Sequence, residues 1–131
     1  TKVNSFNAAA YNKVHNLASD TLKVALTNSA PSTSNTVLAN ITEITYTNLS
    51  SRTITTTSST QSSGTYKLIL ADLTLTATGS VGPFRYVVIY NDTATNDELI
   101  GYADYGSSVT LASGDSFAIN FDDTAGLFSN T

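Results

Sequence analysis

Cysteine and tryptophan are both missing from these 131 residues, histidine occurs once, and only 12% of positions carry a charge. Without cysteine there are no disulfides, no thiolate metal sites and no cysteine nucleophile, so stability has to come from packing and hydrogen bonds. One histidine, His15, cannot build a multi-histidine metal centre, which removes the zinc hydrolases and the iron facial triad. Any Ser-His-Asp arrangement would have to use His15, and no nucleophile-elbow motif accompanies it. The six basic residues, Lys2, Lys13, Lys23, Arg52, Lys67 and Arg85, are scattered rather than clustered, and the net charge is −4. Affinity for nucleic acid rests on clustered cations, so no direct nucleic-acid contact is expected.

Neutral polar residues fill the space that charges leave. Thr, Ser and Asn together occupy 51 of the 131 positions. Threonine favours strands because its branched Cβ packs on a pleated surface, while Ser and Asn favour turns. The opening residues Thr1-Lys2-Val3-Asn4 lack the apolar centre of a signal peptide, and no stretch approaches the ~20 apolar residues of a membrane span. The expectation is a soluble chain made in the cytoplasm, unless a leader was removed, with no membrane partner. A chain of this length feeds one core, so a single domain over residues 1–131 is expected, with residues 1–4 as a candidate flexible arm.

The patterning is that of an all-β protein. Phe6, Ala10, Val14 and Leu17 share one face of a helix predicted over Ser5 to Leu17, with Asn4 or Ser5 as its cap. Thr21 to Thr27 then alternates, placing Leu22, Val24 and Leu26 on one side of a strand. Thr36 to Ile44 fits helical turns as well as an irregular edge strand. Arg52 to Thr60 is an exposed edge strand that Gln61 to Gly64 turns back. From Thr65 to Thr78 the alternation changes phase near Ala71-Asp72, which a bulge or a corner between two sheets explains equally. Phe84 to Tyr90 is apolar on both faces and therefore central. Leu99 to Tyr105 follows it, and Val109 to Leu111 with Phe117 to Phe121 forms a hairpin across Ala112–Asp115. The resulting fold class is an antiparallel β-sandwich or barrel, jelly-roll-like, of about eight strands with a short N-terminal helix.

No catalytic, cofactor-binding or metal-binding set emerges, and the chain is not expected to be an enzyme. His15 has a plain reading as a partly buried residue beneath the first strand. Asp104, Asp115, Asp122 and Asp123 lie in or near late strands and are the candidates for paired-carboxylate glycoside hydrolysis, but the chain lacks tryptophan for a sugar-stacking cleft. Asn91 to Glu98 offers hard oxygen ligands of the kind Ca²⁺ takes, without the spacing or the glycine of an EF-hand. Its plain reading is a surface loop whose Asn and Asp residues bond their own backbone. Asn40-Ile41-Thr42, Asn48-Leu49-Ser50 and Asn91-Asp92-Thr93 match the glycosylation acceptor pattern, as chance allows in such a composition. Sugar binding would need Tyr46, Tyr66, Tyr102 and Tyr105 gathered on one face.

Two stretches, KVHNLASDTLKVALTNSAPS from Lys13 to Ser32 and SVGPFRYVVIYNDTATNDELIGYADYGSSVTLASGDSF from Ser80 to Phe117, carry a resemblance. They resemble a family of small structural proteins encoded by tailed bacteriophages and prophages beside head and tail genes. The likeness is weakest from Thr45 to Gln61. It implies a virion protein without catalytic residues. Within the virion it implies a capsid decoration, or cement, protein that oligomerises, often as a trimer, and ties the major capsid protein from outside. A tail or fibre component and a host-glycan-binding module are the alternatives.

Overall fold

The computed structural model describes residues 1–130. Its elements are one short helix, α1 (Phe6–Tyr11), a 3-10 turn at Leu38–Asn40, and nine strands. The strands are β1 (Leu22–Thr27), β2 (Thr53–Ile54), β3 (Thr56–Ser62), β4 (Thr65–Leu70), β5 (Leu73–Thr76), β6 (Val81–Asn91), β7 (Leu99–Leu111), β8 (Ser116–Ile119) and β9 (Phe128–Asn130). All pairings are antiparallel, in the orders β2-β1-β6-β7, β3-β4-β9 and β5-β8. The four-stranded sheet forms one layer and the two smaller sheets the other, giving an antiparallel sandwich with a short N-terminal helix, as the sequence pattern predicts.

β6 is the centre of the larger sheet because both its faces are apolar, and Phe84 and Val87 to Asn91 are all buried. Its neighbour β1 is aligned so that Val24 faces Ile89 and Leu26 faces Val87. A one-residue slip would turn the Leu22, Val24 and Leu26 set to the wrong side, so burial holds this register. Phe84 meets Phe117 of β8 edge-on at 5.1 Å, locking the two layers together.

The phase change after β4 is a corner between sheets rather than a bulge. β4 belongs to the three-stranded sheet and β5 to the two-stranded one, and the Asp72 carboxylate at the corner accepts the Phe121 N–H at 2.7 Å. The Thr-rich stretch is likewise divided, as β2 and β3, between the edges of two sheets. Ser63 and Gly64, both at positive φ, form the tight turn from β3 to β4.

Three expectations are corrected. The helix stops at Tyr11 because Lys13 enters the left-handed region at φ 62°, and Val14 and His15 donate back to the Ala9 carbonyl. Ser5 makes no side-chain cap. Val109 to Leu111 and Phe117 to Phe121 do not form a hairpin. β7 continues to Leu111 past a register shift at residues 105–108, then the chain crosses layers and β8 pairs with β5. Backbone bonds from Gly114 to Ala77 and from Ala77 to Asp115 steer that crossing. Residues 1–4, expected as a flexible arm, are tied down: Lys2 pairs with Gly101, Thr1 and Tyr102 exchange backbone hydrogen bonds at 2.8 Å, and Val3 is only 1% exposed. A Cβ on Gly101 would lie 2.5 Å from the Thr1 carbonyl oxygen, so only glycine admits this close strand.

The outer edge of β1 is closed by side chains beyond the short β2. The Arg52 guanidinium donates to the Val24 carbonyl at 2.7 Å, and the Tyr46 hydroxyl accepts the Leu26 N–H at 2.9 Å while donating to Glu43 at 2.7 Å. Arg52 also lies over the Tyr46 ring at 3.7 Å. Burial, above all, pushes the Tyr46 phenol well above its ordinary range, so it stays protonated and keeps both roles. Tyr46→Phe leaves a half-buried backbone donor without an acceptor and is expected to lower unfolding free energy by about 1–3 kcal/mol. Urea denaturation checks this, and a midpoint equal to the parent's would show that the hydroxyl is dispensable.

Candidate functional site

Of the four carboxylates singled out for chemistry, Asp123 is exposed on the surface and the other three have structural duties. Asp104 forms a two-pronged ion pair with Arg85, at 2.8 and 2.9 Å, and accepts the Gly106 N–H at 2.7 Å. These bonds, led by that from Arg85, hold its carboxyl below the usual carboxylate range. Asp115 accepts the Ala112 N–H, and Asp122 accepts those of Thr124 and Ala125, which lower its pKa. Each of these three carboxylates is occupied as a turn or strand partner. In the Asn91–Glu98 loop, Asp92 pairs with Lys23 at 2.9 Å, Thr93 accepts the Thr21 N–H, and Glu98 receives the amide of Asn96. Among the described residues no three His, Cys, Asp or Glu side chains gather as a metal site. The four tyrosines do not share one face. Tyr46 closes the β1 edge, whereas Tyr102 and Tyr105 stand on β7 at the opposite side of the sheet. Of the three acceptor-pattern asparagines, Asn91 is fully buried and Asn40 binds the Thr36 and Val37 N–H groups.

Asn91 is the centre of a buried polar node. Its Oδ1 accepts the N–H groups of Thr93 and Ala94 at 3.0 and 3.2 Å, which fixes the amide's orientation. Nδ2 is thereby aimed at His15 Nδ1, 3.1 Å away, and at Asp20 Oδ2, 2.6 Å away. With Nδ1 accepting, the imidazole carries its proton on Nε2, which is buried and has no partner among the described residues. His15 is 7% exposed, stacked on Phe6 at 5.3 Å, and burial outweighs the pull of Glu98 and Asp20 to hold its pKa below the ordinary value. The partly buried histidine expected from the sequence is thus a neutral member of a hydrogen-bonded junction. Asn91 was legible only as a loop residue, yet it stands in phase with Val87 and Ile89, the alternation that marks a buried position.

A cleft of about 400 Å³ opens where β7 and β8 part. Val87, Ile89, Gly101 and Ala103 form its floor, and Phe117, Ile119, Phe121, Leu127 and Phe128 its far wall. At its mouth Tyr105, 58% exposed, meets Phe117 edge-on at 5.0 Å. β7 carries residues 105–108 as an extra loop between its pairings of Asp104 with Tyr86 and of Val109 with Phe84, and Gly106 at φ 97° makes that turn. The loop lifts Tyr105 out of the sheet. Apolar walls of this size, with few polar groups, suit binding rather than bond-making.

Comparisons with protein families, with curated proteins and with solved structures find no match for this chain. The Asn91 junction is the more stringent constraint of the two features. Asn91→Ala leaves the Thr93 N–H and His15 Nδ1 without their partner and strips one bond each from the Ala94 N–H and Asp20, and a loss of about 2 kcal/mol or more in unfolding free energy is expected. Chemical denaturation measures it, and a loss below about 1 kcal/mol would mean that water replaces the amide.

Proposed function

We propose that this chain is a structural protein of a tailed-phage virion, placed as a capsid decoration protein that binds the outside of the major capsid shell and stabilises it. The reading rests on the resemblance carried by Lys13 to Ser32 and Ser80 to Phe117. The geometric observation that supports it is the β7–β8 cleft, an apolar recess at the sandwich flank with an exposed tyrosine at its mouth. Aromatic side chains beside a desolvated pocket are the groups that dominate protein–protein affinity. The hydroxyl-rich, charge-poor surface can enter an assembly with few charges to desolvate. Many weak copies acting together then hold a shell, because multivalent attachment multiplies modest contacts. The major capsid protein is the partner proposed, and self-association into a trimer is part of the same reading.

The test is cryo-electron microscopy of particles from the phage that encodes the chain. Density for the sandwich at regular sites on the head is expected, with the β7–β8 flank toward the shell or a neighbouring copy. Density confined to the tail would overturn the decoration reading in favour of a tail component. Tyr105→Ser removes a ring that is 58% exposed and whose aromatic contact among the described residues is with Phe117 alone, and it is expected to weaken attachment to undecorated heads at least about tenfold while leaving the fold intact. Unchanged attachment would remove the cleft from the interface.

A further inference from the structure

We propose that the segment from Thr1 to His15 is an acid-sensitive strap: protonation of His15 releases it from the sandwich and uncovers the outer edge of β7. Besides the Asn4 N–H bond to the Thr33 carbonyl at 2.9 Å, the strap is fastened at three points. Thr1, Lys2 and Val3 pair along β7 at Ile100, Gly101 and Tyr102. Phe6 packs between His15 and Phe128, at 5.3 and 4.7 Å, with the Lys2 ammonium 5.4 Å from its ring. His15 itself is held by the Asn91 amide.

The third point is the one a proton breaks. Asn91 cannot turn its amide around without losing the Thr93 and Ala94 bonds, so it always presents N–H to His15 Nδ1. A doubly protonated imidazole would add its new N–H at Nδ1, setting donor against donor there, and would place a charge on a buried ring whose Nε2–H has no acceptor among the described residues. The carboxylates of Asp20 and Glu98 act on the ring, and both favour its charge. Asp20 is already engaged by the Asn91 amide and the Asn16 N–H, and desolvation prevails over both acids.

The sign follows from linkage. The buried ring binds its proton less readily than the released one, so fastening is complete above about pH 6.5, the ordinary imidazole value. It is lost as pH falls from there toward the folded-state value. For one proton the opening equilibrium rises by up to about tenfold per pH unit in that window. Release bares the β7 backbone at Ile100 and Tyr102, next to the cleft, and an open strand edge beside an apolar recess is a template for strand addition by a partner. This device is independent of the virion reading.

The test is amide hydrogen exchange by NMR on the full chain between pH 7.5 and 5, with intrinsic rates removed. The reporters are the Val3 amide, bonded to Ile100, and the Tyr102 amide, bonded to Thr1. Their protection is expected to fall about tenfold per pH unit below pH 6.5 and to lie at least about a hundredfold under that of the β1–β6 ladder, the mark of local opening. In His15→Asn, whose side-chain oxygen can still accept from Asn91 but cannot charge, the fall should vanish. Protection equal to the ladder's, protection independent of pH, or the same fall in the variant would each overturn the proposal. Should the variant not fold, the proton count comes from the parent alone: the His15 ring resonances must titrate below the ordinary value, in step with the loss at Val3, and a ring that titrates without that loss also overturns it.

Discussion

An open sheet ends in two rows of unpaired N–H and C=O groups, and satisfying them shapes most of what lies outside the strands of this chain. The β2-β1-β6-β7 sheet has one such row on β1 and another on β7. On β1 the row is met by two residues of β2, and then by a guanidinium and a phenol standing in for backbone. On β7 it is met at Ile100 to Tyr102 by residues 1–3 and at Leu99 by the Thr36 carbonyl. Both solutions draw on sequence far from the strand they close, so the loop from Ile44 to Arg52 and the segment before α1 are structural parts.

Scarcity of charge decides which groups make these closures. Three ion pairs stand among the described residues, and neutral amides and hydroxyls carry many of the buried polar contacts. An uncharged group costs far less to bury than an ion, provided its hydrogen bonds are complete. Asn91 meets that condition with four of them, joining the end of β6, the 92–94 turn and the loop that follows α1. His15 falls short by one unpartnered nitrogen. The same junction therefore combines a saturated centre with one weak member, and it sits where α1 is fastened to the sheet.

Burial patterns were legible wherever one strand could report on itself. The alternation of Leu22, Val24 and Leu26 and the double apolar character of Phe84 to Tyr90 identify β1 and the central β6, and the phase slip at Ala71-Asp72 already marks a corner or a bulge. What stayed hidden depends on distant partners. Ala112 to Asp115 has the turn chemistry of a hairpin, yet its backbone bonds to Ala77 lead the chain to the other layer. Lys13 in the left-handed region has no signature in a lysine. The cleft draws on β6, β7, β8 and residues 121–128, so no local window contains it.

The position of that cleft follows from the connection that the hairpin expectation missed. Had Phe117 to Phe121 paired with β7, the larger sheet would continue past Leu111 and the flank would close. Because β8 crosses to β5 instead, β7 and β8 become edges of opposite layers that do not pair with each other. Gly101 and Ala103 are small on the β7 side, the first because Thr1 passes over it. Phe117 and Phe121 cannot fill the space alone, and the loop at residues 105–108 swings Tyr105 across only its mouth. An apolar recess flanked by strand edges is therefore a direct product of the topology, and the strap lying along β7 at Gly101 and Tyr102 narrows the open edge beside it.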